Sequence, residues 1–255
     1  MGSGNHGKQT GRMLERIESI LEKENPSVVI VQGDTNSVLA GSLAATKMHI
    51  PVAHIEAGLR SGDLKMPEEK NRIVADVISD FLFCPTELQK KTLLSEGTDE
   101  RKIFVVGNTI SDAVLWAADN ETEILDKLNL KKEEFLLLTL HRAENVDDKE
   151  KLQELLDQIG KLKVLNKKII FPVHPRTKKQ LEKFELSLPD FFEILEPVGF
   201  LDLITLQKNA NVILTDSGGL QEESCILNVP CITLRTTTER PESIQAGGNK
   251  LAGED

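Results

Sequence analysis

The chain has 255 residues, 39% hydrophobic and 28% charged, with a formal net charge of −10, a length that calls for two domains rather than one of average size. The acidic balance argues against nucleic acid or an anionic membrane surface as the main partner. No apolar run is long enough to span a bilayer and the polar, glycine-rich stretch Met1 to Gly11 does not read as a signal segment, so the expectation is a soluble cytoplasmic protein.

Thr10 to Lys23 carries apolar residues at Met13, Leu14, Ile17, Ile20 and Leu21, a helical stripe that closes before Pro26. Val28–Gln32, Pro51–Ile55, Phe81–Cys84 and Ile103–Val106 read as buried strands alternating with amphipathic stretches, the pattern of a parallel sheet. The sequence thus opens inside a helix–strand unit, and the first strand of such a sheet is expected upstream of it. Residues 117–134 are charged but periodic at Ile124, Leu125, Leu128 and Leu130, which predicts a linking helix between a first domain at 1–116 and a second at 135–255. Phe135–Leu140, Lys168–Val173, Asn211–Thr215 and Pro230–Leu234 supply the second sheet. Cys84, Cys225 and Cys231 lie beside apolar residues without metal-site or redox spacing and read as buried reduced thiols.

In open parallel sheets ligands gather beyond the carboxyl ends of the strands, and several motifs sit there. Asp34 follows the first predicted strand; alone it reads equally well as the cap of a helix starting near Asn36. The next strand runs into His54-Ile-Glu56-Ala-Gly-Leu-Arg60, and a carboxylate at the end of an apolar strand is costly unless paired or used. Pro67-Glu68-Glu69 begins a helix, where acidic residues are common without function. Three carboxylates at one sheet edge nevertheless suit proton removal and return at carbon.

The second domain offers cations and polar groups. His141, Arg142, Glu144 and Asn145 follow its first strand, and His174 and Arg176 repeat the arrangement after the next, a basic-lined crevice. Thr215-Asp216-Ser217-Gly218-Gly219-Leu-Gln221-Glu222-Glu223 joins a strand to a helix, and Ser217, Gly218 and Gly219 let backbone N–H groups approach a phosphate, with Glu223 suited to ribose hydroxyls. The loop holding Arg235, Glu239 and Arg240 calls for an anion.

Taken in order, GDTNSVLAG, HIEAGLRSGD, MPEEKNR, FVVGNTISD, LHRAENVD, VHPRT, TDSGGLQEES and TTERPES resemble the motif series of the non-hydrolysing UDP-N-acetylglucosamine 2-epimerases over nearly the whole chain. The resemblance implies an α/β protein of two Rossmann-like domains of the glycosyltransferase-B type, the first incomplete, with the site in the interdomain cleft and UDP mainly on the second domain. By it Asp34, Glu56 and Glu68 match the catalytic carboxylates and His141 the catalytic histidine, while Ser217, Gly218, Glu223 and Arg240 match nucleotide-binding positions. The implied reaction interconverts UDP-N-acetylglucosamine and UDP-N-acetylmannosamine by elimination and re-addition of UDP, with no metal or other cofactor, in a homodimer. The family's opening strand and glycine-arginine-proline turn would precede Met1, so the sequence reads as a fragment at both ends. A hydrolysing epimerase, a non-catalytic UDP-sugar-binding remnant and, on fold alone, a glycosyltransferase are the rival readings.

Overall fold

The computed structural model describes residues 5–252 and divides into two compact units between Asn108 and Thr109. The first unit runs α1 (His6–Glu24), β1 (Val29–Gln32), α2 (Asn36–Lys47), β2 (Val52–Ile55), α3 (Pro67–Ile78), β3 (Phe81–Cys84), α4 (Glu87–Ser95) and β4 (Ile103–Val105). All four strands are parallel, in the order β1-β2-β3-β4. Helix α1 starts at His6 rather than Thr10, and its stripe of Leu14, Ile17 and Leu21 packs with Val31, Val38 and Ala45. Asn25, in the left-handed conformation, ends it by returning its N–H to the Leu21 carbonyl. The opposite face of the sheet presents Ile30, Phe81, Phe104 and Val106 to the surface among the described residues.

The second unit runs α5 (Thr109–Asp119), α6 (Ile124–Lys127), β5 (Phe135–Thr139), α7 (Ala143–Val146), α8 (Lys149–Gly160), β6 (Lys168–Pro172), α9 (Pro175–Phe184), β7 (Phe192–Leu195), α10 (Phe200–Asn209), β8 (Val212–Thr215), α11 (Gly218–Ile226), β9 (Cys231–Thr233), α12 (Pro241–Gln245) and β10 (Asn249–Leu251). Its parallel strands lie in the order β10-β9-β8-β5-β6-β7. The chain starts at β5, builds outward through β6 and β7, then returns to β8 on the other side and builds outward again. This is the doubly wound Rossmann order, and it leaves a crevice beyond the carboxyl ends of β5 and β8, where the winding reverses. Both faces are filled: Leu136, Leu138, Leu152 and Phe171 belong to one cluster, Phe135, Leu137, Ile170 and Ile213 to the other.

Two features depart from the sequence expectation. The segment predicted as a linking helix belongs to the second unit: Val114, Ala117 and Ala118 of α5 pack with Ile204, while Ile124, Leu125, Leu128 and Leu130 pack against the cluster that contains Phe135 and Leu206. Apolar periodicity in that stretch marks a packed surface, and the units divide at 108 rather than 116. Strands β7 and β10 were not anticipated, since both are edge strands of three or four residues with weak alternation. The thiols of Cys84 and Cys231 are buried as expected, whereas Cys225 is half-buried; all three are free.

Gly58 shows how tightly the turn after β2 is packed. Its φ is +82°, and a Cβ there would lie 2.6 Å from the Gln89 carbonyl oxygen. Gly58→Ala should therefore lower stability by about 2–5 kcal/mol, backbone strain plus overpacking. Gly62→Ala, at φ +75° with nothing within 4 Å, should cost only about 1 kcal/mol. Urea unfolding followed by far-ultraviolet circular dichroism measures both, and equal losses would contradict the packing assigned to Gly58.

Candidate active site

Helix α3 organises the first unit's site, and it is built inside out. Glu69, Asn71, Arg72, Ala75 and Asp76 are buried, whereas Val74 is 41% and Val77 73% exposed. Glu69, Arg72 and Asp76 lie three and four residues apart, hence on one face. Buried charges persist only when paired and hydrogen-bonded, and each of these is. Glu69 accepts from the N–H groups of Ser61 and Gly62 at 3.0 Å and pairs with Arg72. Burial opposes its ionisation, but those N–H groups and Arg72 hold its pKa below the ordinary value.

Arg72 extends to the end of β1, where its Nε and Nη2 donate to Asp34 Oδ2 at 3.1 and 2.8 Å. The carboxylate of Asp34 thus faces α3, and the N-cap position of α2 falls to Thr35. Asn71 donates to the Asp34 carbonyl at 2.8 Å. Glu56, just past β2, takes a left-handed φ of +69°, a conformation that costs a non-glycine residue about 1–3 kcal/mol and marks over-determined, functional positions. Gln32 donates to Glu56 Oε1 at 3.0 Å. Because Gln32 pairs with Ile55 in the sheet register, Asp34 and Glu56 leave adjacent strand ends. Glu68, half-buried in the first turn of α3, lines a cavity of about 270 Å³ with Asn36 and Asn71.

In the second unit the expected groups gather at the crevice beyond β5 and β8. Asp216, fully buried, is their anchor: it accepts from the N–H groups of His141 at 3.1 Å and Arg142 at 2.9 Å, from Asn145 Nδ2 at 3.2 Å and, 2.9 Å away, from His141 Nδ1. Burial pushes its pKa up, but the His141 ring and the two N–H groups outweigh this and lower it. A proton on Nδ1 facing a carboxylate leaves His141 Nε2 as the outward nitrogen. His174 lies alongside, ring centroids 5.5 Å apart, and its Nδ1 accepts from the Arg176 N–H as the cap of α9. Burial first, then the charges of His141 and Arg176, lower its pKa. Both histidines and Ser217 line a cavity of about 330 Å³ whose other walls include Pro172, Val173, Pro197, Val198, Leu203 and Leu220.

Ser217 holds the N-cap position of α11 without its hydroxyl bonding the helix N–H groups. Glu223, on the same helix, is 8% exposed and accepts from Gln207 at 2.6 Å, and burial raises its pKa. Gly219 has only ordinary contacts, with Ser217 and Glu223. The close approach at Gly218 is made by a side chain the sequence did not single out for it: a Cβ there would lie 2.1 Å from Glu239 Oε1. Glu239 also pairs with Arg235 at 2.9 Å and Arg142 at 3.5 Å. Burial raises its pKa, yet Arg235 and Arg142 bring it below the ordinary value.

Other expected residues are engaged within the protein. Asn145 also donates to the Leu234 carbonyl at 3.0 Å, so its amide holds the loop rather than facing outward. Arg176 makes a two-point pair with Asp147 at the surface, Glu144 lies 3.6 Å from Arg235, and Arg240 pairs with Glu222 at 3.1 Å. The residues missed in the sequence are the buried partners His54, Glu69, Arg72, Asp76 and Asp216, whose one legible signal is charge where a helix or strand should be apolar. Among the described residues no group of three or more His, Cys, Asp or Glu is arranged to hold a metal ion, and no helix is long and apolar enough to cross a membrane.

A family model described as UDP-N-acetylglucosamine 2-epimerase matches residues 1–255. The chain belongs to the UDP-N-acetylglucosamine 2-epimerase family. It is 54% identical over 265 residues to the UDP-N-acetylglucosamine 2-epimerase of Methanocaldococcus jannaschii, an alignment that covers 100% of this chain and 72% of the relative. The crystal structure of that epimerase in complex with UDP-GlcNAc and UDP superposes with a TM-score of 0.93 at 55% identity, covering 100% of this chain and 72% of the other. A further epimerase relative, the UDP-2,3-diacetamido-2,3-dideoxy-D-glucuronate 2-epimerase of Pseudomonas aeruginosa, is 43% identical over 252 residues, covering 98% of this chain and 70% of the relative.

Asp216 ties His141 to the crevice electrostatically, which sets a pH dependence. Its folded pKa is lowered from 3.8, so its contribution is complete above the unfolded value and is lost as pH falls through the lower folded one. Asp216→Asn should remove this part of the acid dependence and lower stability at neutral pH by about 1–3 kcal/mol. Unfolding by urea across the acid range measures it, and a variant with undiminished acid dependence would show that Asp216 is not a linkage site.

Proposed function

We propose that the chain interconverts UDP-N-acetylglucosamine and UDP-N-acetylmannosamine without hydrolysis. The observation that carries this reading is the pair of carboxylates at adjacent strand ends, Asp34 braced on Arg72 and Glu56 hydrogen-bonded to Gln32. Inverting a carbon by proton exchange requires one group to remove a proton and another to return it to the opposite face, and carboxylates in unlike surroundings suit the two roles. A base takes the C2 proton, the C1–oxygen bond breaks, and UDP departs with the electron pair, leaving a C1–C2 double bond in an acetamidoglucal. Protonation of C2 from the other face and attack of the UDP oxygen on C1 complete the exchange. Asp34, Glu56 and Glu68 handle the C2 proton.

The second unit holds the leaving group. The N–H groups at the start of α11, Arg142 and Arg240 stabilise the diphosphate charge that grows as C1–oxygen cleaves. His141, oriented by Asp216, directs Nε2 to the same charge, and His174 and Arg176 border that crevice. Glu223 accepts from ribose hydroxyls. The apolar walls of the cavity beside His141 fit the faces of a nucleobase. A second UDP-sugar is favoured by a specific observation, the likeness to the Pseudomonas epimerase, so a 2,3-diacetamido glucuronate sugar belongs in the same assays. Phosphorus NMR of the products distinguishes the hydrolysing route, which would accumulate free UDP with turnover.

Turnover in heavy water should place deuterium at C2 of the product almost completely, because the returned proton comes from an exchangeable side chain. Mass spectrometry measures it, and product retaining only the original hydrogen would sink the elimination route. Replacing Asp34 with Asn or Glu68 with Gln should lower kcat by about 10²–10⁴-fold with UDP affinity nearly unchanged. Glu223→Ala and Arg240→Ala should instead weaken UDP binding by calorimetry; the reverse pattern would overturn the division of roles.

A further inference from the structure

His54 lies in the middle of the first unit's sheet, fully buried, with a use for both ring nitrogens. Nδ1 is 2.7 Å from Asp76 Oδ1 and Nε2 is 2.9 Å from the carbonyl oxygen of Gly33. A peptide carbonyl can only accept a hydrogen bond, so Nε2 carries a proton. The other oxygen of Asp76 accepts from the Gly58 N–H at 3.1 Å and from Arg60 Nη1 at 2.7 Å, the company of an ionised carboxylate, so Nδ1 carries a proton as well. A ring protonated at both nitrogens is a cation.

The two partners of this ring are the supports of the catalytic strand ends. Gly33 directly precedes Asp34, and its N–H donates to the Ile55 carbonyl at 3.1 Å, directly before Glu56. Its carbonyl is tied to α3 through His54 and Asp76, while Asp34 is tied to the same helix through Arg72. We propose that His54 is an imidazolium and the positioning residue that fixes the Gly33–Asp34 and Ile55–Glu56 segments against α3. The assignment of a role in turnover rests on the epimerase reading above.

Charged and titratable groups surround the pair. Asp76 and, one turn earlier on α3, Arg72; Arg60 and Glu56 beyond β2; Asp34 beyond β1; and Cys84 on β3 are the charged or titratable neighbours. Burial disfavours the charged ring, but the hydrogen bond and charge of Asp76, the Gly33 carbonyl and Glu56 together raise the His54 pKa above 6.5. The stabilisation is therefore complete below the ordinary histidine value and is lost only as pH rises through the raised one. Neutral His54 must release one partner, and Gly33 is the one without a charge.

The test begins with the chain labelled with nitrogen-15 at histidine. Two-bond proton–nitrogen correlation spectra, with the His54 signals assigned by their loss in His54→Gln, should show both ring nitrogens protonated at pH 7.5; a single-tautomer neutral ring would overturn the proposal. Amide exchange at Gly33 should quicken at least about tenfold in His54→Gln while that of Leu138 in the second unit is unchanged; unchanged exchange at Gly33 would overturn it too. Both readouts are independent of turnover, so an inactive wild-type chain would count against the epimerase reading alone. In the active chain His54→Gln should lose about 10²-fold in kcat with KM within about twofold, the size of a small misplacement of reacting groups. A rise in KM alone would assign His54 to substrate binding and overturn the positioning role. If His54→Gln does not fold, Asp76→Asn, which keeps the ring but removes its counter-charge, should give a ring that deprotonates at lower pH, and an unchanged titration would refute the pairing.

Discussion

A row of buried charges along α3 is the constraint on which the first unit depends. Glu69, Arg72 and Asp76 are each inaccessible to solvent, and no helix holds such a row unless every charge is met. The demand is met by strand β2 and by the loops that leave the strands: the Ser61 and Gly62 N–H groups on Glu69, Asp34 on Arg72, and His54, Gly58 and Arg60 on Asp76. Satisfying the helix and positioning the candidate carboxylates are thus the same set of hydrogen bonds. A helix packed by valines at these positions would leave Asp34 without its cationic partner and the Gly58 N–H without its acceptor. The cost is visible on the opposite side of α3, where Val74 and Val77 face outward.

The second unit solves the same problem with one residue. Asp216 lies at the switch point of a doubly wound sheet, between the loops that follow β5 and β8, and collects N–H donors from the first of them. An ionised carboxylate there holds the His141 ring in one tautomer and closes the loop onto the sheet. Glu239 does related work at the start of α11, where it packs against Gly218 and joins Arg235 and Arg142. In both units, buried acids organise the candidate site residues.

These arrangements explain why the motifs are dense in charge and glycine yet sit on ordinary strands. The strands themselves are held by apolar packing on the faces where helices lie. Strand ends whose loops are hydrogen-bonded to buried charges hold the candidate residues in preorganised positions. The left-handed Glu56 and the crowded Gly58 are local costs carried by that scaffold.

The sequence by itself determined the class of fold and the strand ends at which the candidate site residues lie. Eight of the ten strands announce themselves as β-branched or apolar runs, and Asp34, Glu56, His141 and Ser217 all follow such runs. Local periodicity suffices there because burial on a sheet face is decided by neighbouring residues in the chain. Strands β7 and β10, being short edge strands, carry too little periodicity to be read. The packing of residues 109–130 on the second unit was likewise undecided, because an amphipathic helix does not specify which surface covers it. Only the tertiary structure decided the partners. Arg72 and Asp34 are 38 residues apart, His54 and Asp76 are 22 apart, and Arg142 and Asp216 are 74 apart. A charged residue read in isolation is as consistent with a solvated surface as with a buried pair, and what distinguishes them is the long-range contact that removes water from both groups at once.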